Sequence, residues 1–554
     1  MRARISGAYS AAGLSRETTC ELEGRVDGIR ALAAELGDGA DDDVLAQAFT
    51  RLGDGLLTRI GGTFALLVWS DATREGLLAT DPLGSRSLFF CETGGSLLFA
   101  TELRDLLDRL PSAAPPSEAS VARWLAHGAL NPDETLYEGI RRLPGGCCLL
   151  LREGCWEQRR YWTPRYEGVD RVGLEEAADE VLAGVRAAVA RRCEGRRAAV
   201  LLSGGLDSGA VAATAREHAA SLRAYSAVFP GDPDADEARL VELATTALRI
   251  PSTTQPNAAD GVLRASAEHV GEWRVPAASP NLFFQTGLLA RAREDGAEVV
   301  LDGQGGDELF GAAAFLLADR VRRGRHREAH RLALDLAGGD EELARRLYRR
   351  YGVRGAAPAA LVTLRRRLRR GAPHHWLTSH AAAAARTQPG SNTRLDGPRW
   401  WADQADRLTR GRERAGVHDH LRRKLSGAGL EGGHPLLDDL SLVELVLRLP
   451  PELAFDPELD RPLLRRALRG LLPDEIRLRA TKSYFDSLVV KSLSGPERPQ
   501  LTSLLGSPRA EIRRYVTEAR LRDIVDGPTA HERPFDWAWN SWRVASTELW
   551  LRSL

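Results

Sequence analysis

The sequence predicts an α/β protein: a β-rich N-terminal domain, then a parallel-sheet domain with helical additions. Three observations predict this. Two apolar runs, Ala198 to Leu202 and Val299 to Leu301, each enter a glycine-rich turn that carries acids, the pattern of strand ends that line a ligand crevice in a parallel sheet. Before residue 160 the chain breaks into short alternating strands separated by glycine turns. Beyond Gly311 it is rich in Arg and Ala and reads as mostly helical.

The first turn is Ser203-Gly204-Gly205-Leu206-Asp207-Ser208, and it leaves into the Ala-rich stretch Gly209 to Ala213. Strand, tight loop and helix in that order aim backbone N–H groups and a helix N-terminus at an anion. The glycines let a phosphate approach the backbone, Ser203 and Ser208 add hydroxyl donors, and Leu201 and Leu206 flank the loop. Asp207 would repel a phosphate unless a divalent cation lay between them, so it reads as a Mg²⁺ ligand. The loop lacks the G-x-x-x-x-G-K-[ST] pattern of a P-loop. The second turn, Asp302-Gly303-Gln304-Gly305-Gly306-Asp307-Glu308, supplies Asp307 as the second Mg²⁺ ligand and places Asp302 and Gly303 beside the nucleotide.

The first loop resembles the pyrophosphate loop of ATP pyrophosphatases, and the two loops together resemble asparagine synthetase and its relatives. The resemblance runs along most of the chain. Gly61 to Trp69, Thr80 to Phe90 and Phe99 to Leu103 look like later strands of that family's N-terminal-nucleophile glutaminase domain. Gly429 to Asp438, Arg461 to Ala467 and Arg479 to Lys482 match its later active-site stretches. The resemblance implies that ATP and Mg²⁺ are used, that the Ala227 backbone flanks adenine, and that Lys482 neutralises charge developing near the phosphates. Arg461 stands where another family lysine contacts phosphate. Gln304 stands where asparagine synthetases carry Glu and β-lactam synthetases carry Tyr; it can hydrogen-bond a substrate but cannot take a proton, which leaves the general base unassigned.

Departures from the family narrow the reading. Ala3 aligns with the glutaminase nucleophile, no Cys precedes Cys20, and Glu23 replaces an amide-binding Asn. The short span between Gly7 and Asp43 leaves no room for the family's two hairpins. The N-terminal domain, residues 1–164, is therefore expected to be a degenerate glutaminase that releases no ammonia, and residues 165–554 to be the ATP-pyrophosphatase domain. The amine then comes from the substrate itself. The branch most resembled is the lasso peptide cyclases, which adenylate an Asp or Glu side chain of a leader-free core peptide and join it to the peptide's N-terminal amine. Expected partners are the precursor peptide, a leader peptidase and a leader-binding protein. A β-lactam-type amide synthetase, an ammonia-dependent asparagine synthetase and a silent peptide-binding scaffold are the alternatives.

Composition adds exclusions. Lys+Arg and Asp+Glu are both 76 in 554 residues, so nothing global calls for nucleic acid or an acidic membrane. The six Cys show no C-x-x-C spacing. No signal-peptide core or apolar run of membrane-spanning length occurs, so a cytoplasmic location is expected. Two basic runs, Arg320 to Arg327 and Arg365 to Arg370, read as solvated helix faces or as docking surfaces. Trp537, Trp539, Trp542 and Trp550 read as core packing, and His434 as structural or substrate-facing. The acids Asp236 and Glu237 are expected to complement a helix dipole.

Overall fold

The computed structural model describes every residue except 1–3, 11–12, 15–19, 37–40, 314, 358–375, 387–394, 457, 482, 484 and 529–531. Its N-terminal half contains two five-stranded antiparallel sheets. One has the order β2-β1-β7-β6-β8: Gly13–Leu14, Ser6–Ser10, Ser96–Ala100, Phe89–Thr93 and Arg141–Arg142. The other has the order β10-β9-β5-β4-β3: Cys155–Arg160, Cys147–Arg152, Glu75–Thr80, Gly61–Ser70 and Cys20–Asp27.

Strand β4 shows why the sheets stack. Successive side chains point to opposite faces. Ala65, Leu67 and Trp69 meet Tyr9, Phe90 and Phe99 of the facing sheet. Phe64, Leu66 and Val68 instead pack on Val44, Leu45 and Ala48 of helix Asp41–Leu52. Both faces are covered, so the strand reads as one continuous apolar run. The outer face of the β1 sheet is covered by helix Glu118–His127 and by the last helix, Pro534–Leu551. Within that contact Trp124 donates to Thr547 at 3.1 Å, and Trp550 donates to the Tyr137 hydroxyl at 3.0 Å. Trp537, Trp542 and Trp550 are core residues, whereas Trp539 is only partly buried.

Strand β10 ends at Arg160, and the next helix, Leu174–Cys193, leads into a parallel sheet of order β13-β12-β11-β14-β15. These strands are Ser252–Pro256, Ser221–Val228, Arg197–Leu201, Val299–Leu301 and Glu431–Gly433. Strand β11 is central, and Val200 registers with Leu301 of β14. Helix Leu206–Ala215 follows β11 and returns to β12 on one side, while β14 lies on the other. The chain diverges there, which opens a crevice at the carboxyl ends of β11 and β14.

The Arg320–Arg327 run finds partners within the molecule. Arg320 pairs with Glu452 at 2.9 Å, and Arg322 donates to the carbonyls of Ala356 and Ala357. The run from Arg365 to Arg370 lies outside the described residues. All six cysteines are free thiols, and only Cys155 is exposed. Among the described residues no helix is long and apolar enough to cross a membrane.

Helix Arg412–Gly427 joins the two halves. Its Arg422 and Arg423 pair with Glu102 at 2.6 and 2.8 Å, and its Asp419 takes Arg142. Burial alone would raise the Glu102 carboxyl, but the two guanidinium groups hold it down to about 2. The same region contains three buried histidines, His269, His418 and His420. Burial and the nearby Arg423 push His269 down to about 3. Burial likewise drives His418 and His420 well below the usual imidazole range.

These histidines set an acid limit on stability. In the folded chain they stay neutral, whereas in the unfolded chain they take protons below the ordinary imidazole value of 6.5. Stability is therefore complete above that pH and falls as the pH drops below it. Asp81, pushed up to about 6 by burial, opposes them with one proton. The net uptake of about two protons costs about 3 kcal/mol per pH unit between pH 6 and 5. Denaturant titrations at the two pH values should show this loss. His420→Gln should reduce the slope by about a half.

Candidate active site

A cavity of about 400 Å³ opens at the carboxyl ends of β11 and β14. Leu201, Ser203, Gly204, Gly205, Leu206, Asp207 and Ser208 line one side of it, and Asp302, Gly303, Gln304 and Asp307 the other. Ala227, at the end of β12, completes the wall. The first loop is held in shape before any ligand arrives. Ser203 N–H donates to Ser208 Oγ at 3.2 Å, and the two hydroxyls lie 3.1 Å apart. Gly205 caps the helix that follows, so that helix's unpaired N–H groups face the cavity.

The two loops touch so closely that their glycines are obligatory. A Cβ on Gly306 would lie 2.3 Å from Asp207 Cγ, and one on Gly303 would lie 2.4 Å from Ser208 N. Gly306→Ala should therefore displace Asp207 and lower turnover about 100-fold with the fold retained. Circular dichroism beside a turnover assay checks it.

Arg461 lies at the centre of the site. The residue is only 7 % exposed, although the stretch around it is rich in charge. Its Nη1 contacts both Asp207 and Asp307, the latter at 2.9 Å, and its Nη2 reaches Asp460 at 2.8 Å. Its backbone is left-handed, at φ 53°. The two carboxylates read as metal ligands thus converge on one internal cation. That donor set suits Mg²⁺, which takes one or two protein carboxylates and fills its shell with phosphate and water. Among the described residues no group of three or more His, Cys, Asp or Glu could hold a metal by itself.

Other residues fall differently from expectation. The Asp302 carboxylate lines the cavity but is buried and engaged: it meets His434 Nδ1 at 2.9 Å and accepts from Gln304 N–H. His434 therefore braces the second loop. Glu237 does more than meet a helix dipole, because it pairs with Arg479 across the cavity at 2.7 Å. Asp236 accepts from the N–H groups of Phe229 and Ala238. Lys482 lies outside the described residues, while its neighbours Thr481 and Ser483 line the cavity.

Two lining residues escaped the sequence reading. Lys424, one of only three lysines, is buried against Asp302 in helix Arg412–Gly427. The basic run around it disguised it, and the rarity of Lys was the signal. Asp486 begins helix Asp486–Ser494 and had no motif to mark it.

A separate cavity of about 210 Å³, where the sequence places a degenerate glutaminase site, is lined by Arg4, Glu23, Arg86, His418 and Arg422. Glu23 accepts from the Thr101 hydroxyl. The span between Gly7 and Asp43, expected to have no room for two hairpins, holds one antiparallel pair, β1 with β2, followed by β3 and helix Ile29–Leu36.

A two-sheet sandwich joined to a parallel sheet with paired acidic glycine loops defines a two-domain α/β protein with a phosphate-type crevice. The chain belongs to the asparagine synthase family, whose model matches residues 180–552. A glutamine amidotransferase domain model matches residues 29–162. The chain is 32 % identical over 288 residues to a putative glutamine-hydrolysing asparagine synthetase of Mycobacterium tuberculosis, covering 50 % of this chain and 43 % of that one. It is 23 % identical over 309 residues to amidase chyE of Penicillium rubens, covering 52 % and 45 %. Thus the chain spans less than half the length of these relatives. Among solved structures, a Bacillus subtilis glutamine phosphoribosylpyrophosphate amidotransferase matches at 14 % identity over 52 % of this chain and 62 % of that one, with a TM-score of 0.20.

Proposed function

We propose that the protein is an ATP-dependent, AMP-forming carbon–nitrogen ligase acting as a lasso peptide cyclase. It would adenylate an Asp or Glu side chain of a leader-free core peptide and close a macrolactam with that peptide's own amine. The observation that carries this reading is the contrast between the two sites. The crevice of the parallel sheet keeps a preformed anion loop and paired carboxylates, while the N-terminal cavity is lined by Arg4, Arg86 and Arg422 with Glu23 in the amide position. Among the described residues lining that cavity there is no Cys to attack a glutamine amide. A substrate that brings its own amine removes the need for ammonia.

In this reading the phosphates of ATP rest on the N–H groups of the Ser203–Ser208 loop, and Ala227 faces the adenine. Asp207 and Asp307 would hold Mg²⁺, which supplies charge neutralisation at the phosphates when bound. Arg461 balances the two carboxylates beforehand and is positioned to meet the departing pyrophosphate. Lys424 adds a fixed cation beside the second loop. Gln304 orients the acyl group by hydrogen bonds. Holding both ends of one peptide in one crevice makes the amine attack intramolecular. The peptide would be presented by a leader-binding protein and a leader peptidase.

The test is incubation with ATP, Mg²⁺ and the leader-free core peptide encoded beside the gene, followed by mass spectrometry and an AMP assay. A peptide lighter by one water, with AMP formed, supports the cyclase. AMP release with a small amino acid carrying an amine and a carboxylate, and no change in the peptide, would replace it with a β-lactam-type ligase. Asparagine formed from aspartate and ammonium would replace it with an asparagine synthetase.

A further inference from the structure

Among the described residues, Asp486 is the half-buried acid of the cavity with no paired cation. Asp207 and Asp307 share Arg461, Glu237 has Arg479, and Asp302 has His434. Asp486 accepts one hydrogen bond, from the neutral indole of Trp539 at 2.8 Å, and among the described residues no cation pairs with it. Glu308, the remaining acid in the lining, is exposed to solvent, whereas Asp486 is half-buried. Burial pushes the Asp486 carboxyl up, and the Trp539 hydrogen bond pulls it partly back.

Trp539 also lines a second cavity, of about 300 Å³, on the other side of this hydrogen bond. Its walls include Phe89, Trp124, Val275 and Trp542. His420, 8 % exposed, faces the same space, and its Nδ1 has no hydrogen-bond partner. The surface of the space is mostly apolar, although Glu134, Arg142, Asp419 and Arg423 also line it; it adjoins the nucleotide crevice through the Asp486–Trp539 pair and is separate from the N-terminal cavity.

We propose that Asp486 receives the attacking amine of the acceptor, and that the cavity beyond Trp539 takes the apolar residue beside that amine. This assignment rests on the ligase reading above. A protonated amine arrives as an ammonium and is held by the carboxylate, which removes its first proton to solvent. The neutral nitrogen then forms the C–N bond to the acyl carbon while the C–O bond to AMP breaks and AMP leaves with that electron pair. The proton released from nitrogen passes to Asp486 and then to water. A carboxylate in this place supplies the base that Gln304 cannot.

The experiment compares wild type with Asp486→Asn and Asp486→Glu, using ATP, Mg²⁺ and the core peptide. Pyrophosphate exchange reads adenylation, mass spectrometry reads amide closure, and added hydroxylamine, uncharged at neutral pH, traps the adenylate as a hydroxamate. Asp486→Asn should keep exchange and hydroxamate formation within about two-fold and lose about 100-fold or more of amide closure. Asp486→Glu should restore part of it. Amide closure at the wild-type rate in Asp486→Asn would overturn the assignment, as would an equal loss of exchange, because adenylation needs no amine. Absence of exchange in wild type would instead overturn the ligase reading. As a second readout, Gly416→Leu should raise the peptide KM about ten-fold by filling the second cavity. A Cβ at Gly416 meets no atom within 4 Å, so the change fills space without a clash. An unchanged KM would remove the cavity from the assignment.

Discussion

Glu102→Ala is expected to destabilise the folded chain by about 3–5 kcal/mol, the largest stability effect of any single substitution considered. Glu102 is fully buried between the halves of the molecule. One carboxylate oxygen accepts from Leu103 N–H at 2.9 Å and from Arg423 at 3.0 and 2.8 Å, while the other pairs with Arg422. Truncation leaves two guanidinium groups out of water with Asp419 at 3.7 Å from each and Glu23 on the Arg422 side. It also removes a helix cap. An exposed pair such as Arg197–Glu298, with side chains 61 % and 44 % exposed, should cost far less when broken, because water screens it. Denaturant unfolding of both variants decides the matter. A loss below about 1 kcal/mol for Glu102→Ala would mean that Asp419 and Glu23 compensate both arginines.

The largest effect on activity is expected from Asp207→Ala, which should lower AMP formation by about 1,000-fold or more. Asp207 stands in the first turn of the helix that follows the anion loop, in contact with Arg461. Without it, Arg461 turns wholly to Asp307 and Asp460, and the site loses one of the two carboxylates that suit Mg²⁺. Asp307→Ala should cost similar activity but less stability, because the Asp307 side chain is 47 % exposed and that of Asp207 only 15 %. Retained AMP formation in Asp207→Ala would displace this loop from the chemistry.

What could be read from the chain depended on how local the signal was. The Ser203–Ser208 and Asp302–Asp307 turns announce themselves because glycine, acid and apolar strand are adjacent in sequence. The register of Val200 with Leu301 then brings them together. The composition from Leu174 to Arg192 predicts a helix for the same reason, and the helix runs to Cys193. Long-range pairings were not legible. Arg461 lies 254 positions from Asp207, and no local pattern says that a guanidinium bridges two acids in the crevice. Asp486 and Trp539 are 53 residues apart and meaningless singly. Helix Glu118–His127 went unread because its buried face contacts residues more than 400 positions later.

The last helix has a consequence for how such a chain can change. Its tryptophans cover the sheet face formed by Phe89, Leu98 and Ala100, and its Trp550 hydrogen-bonds Tyr137. Expressing residues 165–554 alone would bare the tryptophans that this sheet face covers, a sticky patch of the kind that drives aggregation. Gene fission is therefore closed to this architecture. The N-terminal half can drift away from any chemistry of its own and still be inherited whole, because the other half cannot fold cleanly without it.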